Sequence, residues 1–256
     1  MSPRASGRVA AAEPQPRRRT AARKTGSGKP ALPEAPSPDT GSARSDASFH
    51  TAAERHLRRV DARLGAVVER VGPCKLRPRI DAGARADAPW AALARAIVFQ
   101  QLNGRAASTI FGRVLALFPD GELPAPARLL ELPDGELRAC GLSAAKTAAL
   151  KDLAAKTIDG VVPSSRELLL LTDVEIVERI TAVRGVGPWT VQMMLMFDLG
   201  RPDVLPSRDL GVLQGFARVY GRRERPDPRE LERYAERWRP HRTVASWYLW
   251  RALELG

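Results

Sequence analysis

The chain has 256 residues, of which 44% are hydrophobic, and its formal net charge is +12. This length allows one generous globular core, and the charge predicts a polyanionic partner, of which nucleic acid and anionic membranes are the usual examples. The two cysteines, Cys74 and Cys140, are too few for a four-cysteine zinc or iron–sulfur site, although a single disulfide stays open.

The N-terminal segment differs in composition from the rest of the chain. Residues 1–48 are rich in Pro, Ser, Gly, Ala and Arg, with basic clusters at 17–19 and 23–24. Such a segment buries too little apolar surface to offset its ordering entropy, so we predict a disordered basic tail before a folded core at 49–256. The alternative to phosphate contact is an inert solubilising tail. No apolar signal-peptide core or run of roughly 20 apolar residues is present, and we expect a cytoplasmic protein.

The core has helical periodicity along its length, and we find no strand-like alternation. Capping boxes, in which a hydroxyl precedes a Glu by three residues, are predicted at Ser164 and Thr172. The class is therefore all-α. The predicted helices, in chain order, run from Leu57 to Val71 and from Trp90 to Leu102. After a break at Asn103-Gly104 a third helix runs to Phe118, and further helices run from Ser143 to Ile158 and over about 208–220, 228–237 and 241–254.

The most informative segment is a predicted hairpin at residues 183–190, which joins two helices through Gly185-Val186-Gly187. Glycine allows unusual backbone angles and close approach, and Pro188 suits the first turn of the second helix. Backbone N–H groups at such a corner can bind a phosphate oxygen without reading base sequence. The alternative is an ordinary packing corner between helices.

Four segments together resemble the helix-hairpin-helix superfamily of DNA glycosylases, in particular its DNA-3-methyladenine glycosylase II branch. They are residues 183–190, 203–211, 97–102 and 234–240, and the resemblance spans roughly residues 50–255. It implies two helical lobes flanking a cleft, in the compact form without an N-terminal β domain. It also implies a base excision repair enzyme that flips alkylated bases, of the 3-methyladenine and 7-methylguanine type, out of double-stranded DNA and excises them.

The resemblance assigns catalysis to Asp209, which closes the run Leu205-Pro206-Ser207-Arg208-Asp209. Cleavage of an N-glycosidic bond builds positive charge on the sugar, and a buried carboxylate beside it stabilises that charge. The alternative is that Asp209 only complements a helix dipole. For Asp198 and Asp203, the neighbouring acids, we expect surface or turn roles.

The resemblance also implies a monofunctional enzyme with an aromatic base pocket. Bifunctional relatives carry a Schiff-base lysine where this chain has Trp189, and an indole is no amine nucleophile. Trp250 and Trp189 match pocket aromatics, which attract the cationic alkylated purines. At Met193 the family member compared has a tyrosine, which leaves pocket breadth and base preference open. The alternative for each tryptophan is core packing, which we expect for Trp238 and Trp247.

The remaining expectations concern DNA contacts and cofactors. Leu102 matches the wedge that fills the gap left by an everted base, although core packing is the common role of a leucine. The positions that we expect to contact DNA are Gly185, Val186, Gly187, Thr190, Arg208, Leu102 and Gln101, with Arg105 and Lys146 as further phosphate contacts or solvated charges. The histidines have no metal-site or triad spacing. We expect a nucleoid-associated monomer that needs no cofactor and has room for a monovalent cation at the hairpin.

Two other functions remain open on the sequence. One is a glycosylase with lyase activity, or a glycosylase for deaminated bases, oxidised bases or mismatches. The other is a non-catalytic DNA-binding module that uses the hairpin as a phosphate clamp and needs neither Asp209 nor the pocket tryptophans.

Overall fold

The structure is a computed structural model that describes residues 50–80 and 87–255, where all regular secondary structure is helical, as predicted. The tail predicted at residues 1–48 lies outside the described residues. The helices are α1 (Thr51–Val60), α2 (Ala62–Val71), α3 (Ala88–Phe99), α4 (Gly104–Leu115), α5 (Pro126–Glu131), α6 (Asp134–Ala139), α7 (Ala144–Ile158), α8 (Ser165–Leu170), α9 (Asp173–Thr181), α10 (Pro188–Met193), α11 (Leu210–Val219), α12 (Pro228–Ala235) and α13 (Arg242–Ala252), with a π-helical segment at Met194–Asp198 and a 3-10 turn at Glu236–Trp238.

Side-chain caps determine several helix starts, because they satisfy backbone N–H groups that have no partner inside the helix. Both predicted capping boxes are confirmed. The Ser164 hydroxyl accepts from the Glu167 N–H, and the Glu167 carboxylate accepts from the Ser164 N–H. Thr172 forms the same arrangement with Glu175 at the start of α9.

Three predicted helix boundaries are wrong. The helix predicted to run on to Phe118 ends at Leu115. The run from Leu57 to Val71 is divided at Asp61, whose backbone is extended and whose carboxylate caps α2 through the Leu64 N–H. That carboxylate is buried and also accepts from the Trp238 indole N–H at 2.9 Å. The second helix ends at Phe99 and not at Leu102, because Gln100 takes an extended conformation and Gln101 a positive φ of 58°.

The helices form two lobes. In the first lobe α1 and α2 pack against α13, which in turn packs against α11. In the second lobe α3, α5 and α6 pack against α7, and α10 packs against α9. Segments from the middle of the chain thus form one lobe, and segments from its beginning and end form the other.

The first lobe has a tightly packed centre. At Gly215, on α11, a Cβ atom would lie only 2.1 Å from the Leu249 carbonyl oxygen of α13, so glycine permits the close approach of these helices. Trp238 and Trp247 are buried in the core, as expected for tryptophans outside the site. This packing holds the N-terminus of α11 and its cap, Asp209, at the junction of the two lobes.

Candidate active site

Asp209 is the N-cap of α11, and it is 8% exposed. Its Oδ1 atom accepts hydrogen bonds from the Val212 backbone N–H and the Trp250 indole N–H, both at 2.8 Å. Its Oδ2 atom accepts from the Trp189 indole N–H, also at 2.8 Å. No cationic side chain among the described residues pairs with this carboxylate. Asp209 therefore lies at the positive end of the α11 dipole, as the alternative role requires, and it is also a buried and oriented negative charge.

The two indoles that hold Asp209 come from different lobes. Trp250 lies on α13, whereas Trp189 lies in the first turn of α10. Trp189 is 43% exposed, so part of its side chain is open to solvent while its N–H is held. The carboxylate thus lies at the junction of the lobes, beneath an accessible aromatic ring.

Trp250 differs from the expectation that it presents a ring face to an everted base. It is only 2% exposed, and its ring stacks on Phe197 with centroids 5.8 Å apart and planes inclined by 19°. Phe197 belongs to the π-helical segment that continues α10, and such π turns are frequent at functional sites. In this structure Trp250 orients the carboxylate and has no open face for stacking.

Gly211 is a functional candidate that the sequence reasoning did not single out. A Cβ atom at this position would lie 2.8 Å from Trp250 Cδ1, 3.0 Å from Trp250 Nε1 and 3.2 Å from Asp209 Oδ1. Only glycine therefore leaves room for the hydrogen bond between the indole and the carboxylate. The sequence shows that Gly211 lies two residues after Asp209, but it does not show that Trp250 packs against it.

The hairpin is present as predicted, with Gly185 at a φ of +74° and Pro188 in the first turn of α10. Within the described ranges, no residue accepts a hydrogen bond from the N–H groups of Gly185 or Gly187. These unpaired donors are available to an anion. The positive end of the helix dipole lies at the same corner and also favours a negative charge there. The Val186 side chain, in contrast, is buried in the core, so only its backbone can meet DNA.

Thr190 also differs from its expected role as a DNA contact. Its side chain is buried, and its hydroxyl oxygen accepts from Gln100 Nε2 at 3.4 Å. The same amide donates to the Gly185 carbonyl oxygen at 3.1 Å. Gln100, which the sequence reasoning did not single out, thus joins the hairpin to the turn that follows α3.

That turn comprises residues 100–103 and is named here the α3–α4 turn. Gln101 lies in the left-handed region, which is uncommon for a residue other than glycine. Leu102 is 37% exposed, so the expected alternative of core packing does not apply, and Asn103 caps α4 through the Ala106 N–H. The turn therefore presents a leucine and a glutamine to solvent.

The hairpin is supported from α7 by a second carboxylate. Asp152 accepts from the Arg184 backbone N–H at 2.7 Å and pairs with Lys156 at 2.6 Å. Burial raises the pKa of Asp152, but the Arg184 N–H and the Lys156 charge outweigh it and hold the pKa below its ordinary value. No local sequence signal marks Asp152, because its partner lies 32 positions away.

The other candidate charges divide into two groups. Arg105 and Arg208 are exposed, as a phosphate contact requires. Lys146 instead donates to the carbonyl oxygens of Val98 and Gln100, so its expected phosphate contact is replaced by a contact within the protein. Met193 is half-buried on α10, one turn beyond Trp189.

The two rival acids have ion-pair partners. Asp203 pairs with Arg239 at 2.6 Å and with Arg242 at 2.7 Å. Asp198 pairs with Arg79 at 3.0 Å, and it is more buried than expected for a surface acid, which raises the pKa of its carboxyl. Both negative charges are compensated, whereas that of Asp209 is not.

Both cysteines are buried and free, so the disulfide left open by the sequence is absent. No helix within residues 50–80 and 87–255 is long and apolar enough to cross a bilayer. In the same ranges, no three His, Cys, Asp or Glu side chains are grouped so that they could hold a metal ion.

Comparison with known proteins identifies the class. Residues 94–240 match the family described as HhH-GPD superfamily base excision DNA repair protein. The chain therefore belongs to this superfamily, and its helix-hairpin-helix fold is that of the family.

Particular relatives are similar over most of their length. The chain is 36% identical to DNA-3-methyladenine glycosylase 1 of Schizosaccharomyces pombe, over 80% of this chain and 89% of the relative. It is 30% identical to the alkylbase DNA glycosidase-like protein mag2 of the same yeast, over 81% and 96%. The solved structure of the S. pombe 3-methyladenine DNA glycosylase in complex with abasic DNA matches with a TM-score of 0.70 and covers 80% of this chain and 98% of that one.

Proposed function

We propose that the protein is a monofunctional DNA glycosylase that everts alkylated bases, of the 3-methyladenine and 7-methylguanine type, from duplex DNA and excises them in base excision repair. The observation that carries this proposal is the Asp209 carboxylate, which is buried at the lobe junction, oriented by two indole N–H groups and paired with no described cation. The names of the relatives in this superfamily support the choice of substrate.

Asp209 stabilises the reacting sugar in this mechanism. As the bond between the sugar and the base breaks, its electron pair leaves with the base and positive charge builds on the anomeric carbon. An uncompensated carboxylate in a water-poor site stabilises this charge more strongly than water does. Oδ1 already accepts two hydrogen bonds, so Oδ2, which accepts one, is the oxygen that faces the sugar or the attacking water. Water adds its hydroxyl to the anomeric carbon and releases a proton to solvent.

The base pocket explains a preference for alkylated purines. Such bases carry a formal positive charge, so the departing base becomes neutral and is a good leaving group without a general acid. The exposed indole of Trp189 offers an electron-rich face that attracts a cation. Met193, half-buried beside it, supplies an adaptable apolar wall.

DNA is contacted at three places in this proposal. The free N–H groups of Gly185 and Gly187 bind a backbone phosphate, and Arg208 contacts the strand close to Asp209. Leu102 enters the duplex as the everted base leaves, with Gln101 beside the unpaired partner base.

A monovalent cation at the hairpin belongs to the same proposal. The Val186 carbonyl oxygen accepts no hydrogen bond from the described part of the chain, so it is a fitting ligand for such an ion. Replacing potassium by a large organic cation at constant ionic strength is expected to weaken DNA binding.

We propose further that the enzyme is a monomer at the nucleoid and that its chemistry needs no other cofactor. We also propose that it lacks lyase activity, because Trp189 occupies the position at which bifunctional relatives carry the lysine.

The test is an assay of free bases released from duplexes that carry methylated, deaminated or oxidised bases. We expect release of 3-methyladenine and 7-methylguanine, intact abasic strands, and no adduct trapped by borohydride. Release of only uracil, hypoxanthine or 8-oxoguanine would replace the proposed substrate class, and a trapped adduct would contradict monofunctionality. Binding without release from any duplex would instead support a non-catalytic DNA-binding module.

A further inference from the structure

Within the described part of the chain, the Lys146 ammonium binds backbone carbonyl groups and not a carboxylate. It donates to the Val98 carbonyl oxygen at 2.6 Å and to the Gln100 carbonyl oxygen at 2.7 Å. Both acceptors lie at the C-terminal end of α3, where carbonyl groups have no helical partner and the helix dipole is negative. Among the described residues no carboxylate pairs with Lys146, and burial lowers the pKa of its ammonium. The cation thus caps the end of α3 from outside the helix.

Helix α7 also holds the hairpin. Lys146, Ala149 and Asp152 follow one another at intervals of three residues, so each is the surface neighbour of the next in a row that winds partly around the helix. The Ala149 Cβ is 3.5 Å from the position that a Cβ of Gly185 would take, and Asp152 binds the Arg184 N–H. With a rise of 1.5 Å per residue, α7 separates its two polar anchors by about 9 Å along its axis.

The hairpin and the α3–α4 turn, which α7 contacts separately, are also hydrogen-bonded to each other. Gln100 Nε2 donates to the Gly185 carbonyl oxygen, while the Gln100 carbonyl oxygen accepts from Lys146. The next residue, Gln101, has a positive φ, and Leu102 follows as an exposed apolar side chain. An uncommon backbone conformation of this kind persists only where its surroundings determine it. Gln100, the residue before Gln101, is held through its carbonyl group by Lys146 and through its side chain by the hairpin.

We propose that Lys146 is a positioning residue for base eversion. It holds the α3–α4 turn at a constant distance from the hairpin, so that Leu102 enters the duplex at a set offset from the phosphate bound by Gly185 and Gly187. This inference rests on the proposed function, because it assumes that Leu102 is the wedge. It assigns Lys146 no contact with DNA.

The test uses Lys146→Met, which keeps an unbranched chain of similar length and removes the charge. The matched control is Lys151→Met on the same helix, since Lys151 pairs with Asp134 at 2.5 Å and does not touch the turn. The probe is a duplex with 2-aminopurine opposite an abasic-site analogue, whose fluorescence rises when a wedge disturbs its stacking. Because no base is released, this measurement stays separate from the test of the proposed function.

We expect the wild type and Lys151→Met to give the full fluorescence rise at saturating protein. Lys146→Met and Leu102→Ala are expected to lose most of the rise, and Lys146→Met on the Leu102→Ala background is expected to add nothing further. Thermal melting identifies any variant that fails to fold, and in that case Lys146→Gln takes its place. A full rise in the folded Lys146 variant, or additive losses in the double variant, would overturn the inference.

Release of the alkylated base gives a second readout. For a lesion opposite its normal partner, we expect Lys146→Met to lower the single-turnover rate roughly ten- to a hundredfold, since small misplacements have effects of this size. For the same lesion opposite a mismatched base, eversion is easier, and the loss is expected to be smaller. Equal losses on both duplexes would contradict a role in eversion. Absence of release by the wild type would instead overturn the proposed function.

Discussion

Asp152 and Asp209, which lie in different lobes, both accept a hydrogen bond from a backbone N–H group. They differ in whether a cation compensates their charge. Asp152 binds the Arg184 N–H and is paired with Lys156, so its charge is compensated. Asp209 binds the Val212 N–H and two indole N–H groups, which orient a charge without cancelling it. A cation beside Asp209 would compete with the positive charge that develops on the sugar. Neutral donors are therefore suited to a catalytic site, and an ion pair is suited to a structural support.

The largest effect is expected for Asp209→Asn, which removes the uncompensated charge. Asparagine caps helices as well as aspartate does, so α11 should still form. We expect the rate of base release to fall roughly a hundred- to a thousandfold, the usual cost of losing one electrostatic stabiliser. Single-turnover kinetics and DNA affinity are the measurements, and affinity should change little. Normal turnover by this variant would show that the catalyst has been misassigned.

Gly211→Ala is expected to follow, because its Cβ would push Trp250 away from Asp209. We expect a loss in rate of about tenfold or more, since displacing a catalytic group by a fraction of an ångström has effects of this size. Gly112→Ala, on α4, is the matched control, since nothing lies within 4 Å of the added Cβ. The control should keep full activity and gain about 0.5–1 kcal/mol in stability. Equal activities of the two variants would refute the role of Gly211.

Trp189→Phe separates the two roles of Trp189, because it keeps an aromatic face and removes the N–H that holds Asp209 Oδ2. We expect the maximal rate to fall about tenfold, in line with loss of one hydrogen bond to a charged group. Binding of alkylated DNA should weaken less, because the ring remains. A large loss of binding with an unchanged maximal rate would mean that Trp189 serves the base alone.

The smallest effect on activity is expected for Asp152→Asn, whose consequence is for stability. The pKa of Asp152 lies below its ordinary value of 3.8, so its stabilisation is present above that pH and is lost as the pH falls through the lower, folded-state value. At neutral pH the variant should be about 1–2 kcal/mol less stable in urea unfolding. The difference from the wild type should vanish in acid.

Asp134→Asn is the control for this experiment, since Asp134 also pairs with a lysine of α7 but is largely exposed. It should change stability little, as exposed ion pairs do. A difference between Asp152→Asn and the wild type that does not depend on pH would contradict the role assigned to the Asp152 charge.

The helical class, the hairpin and the capping boxes were predictable from the sequence alone, whereas Asp209, predicted within the first turn of a helix, is the cap that precedes α11. These features depend on local rules: helical periodicity, the φ freedom of glycine, and hydroxyl or carboxylate caps that satisfy the first backbone N–H groups. Each is visible within a few neighbouring residues, and the family motifs mark the same segments.

The role of each side chain in these segments depends on long-range contacts. Trp250 lies 41 positions from Asp209, and its change from an expected stacking surface to a buried hydrogen-bond donor follows from the packing of α13 on α11. Lys146 and Asp152 are ordinary charges of a helix in the sequence, and their partners at Gln100 and Arg184 are brought close only by the fold. A local pattern specifies backbone conformation, whereas the partner of a charge or an indole depends on contacts between residues that are distant in the chain.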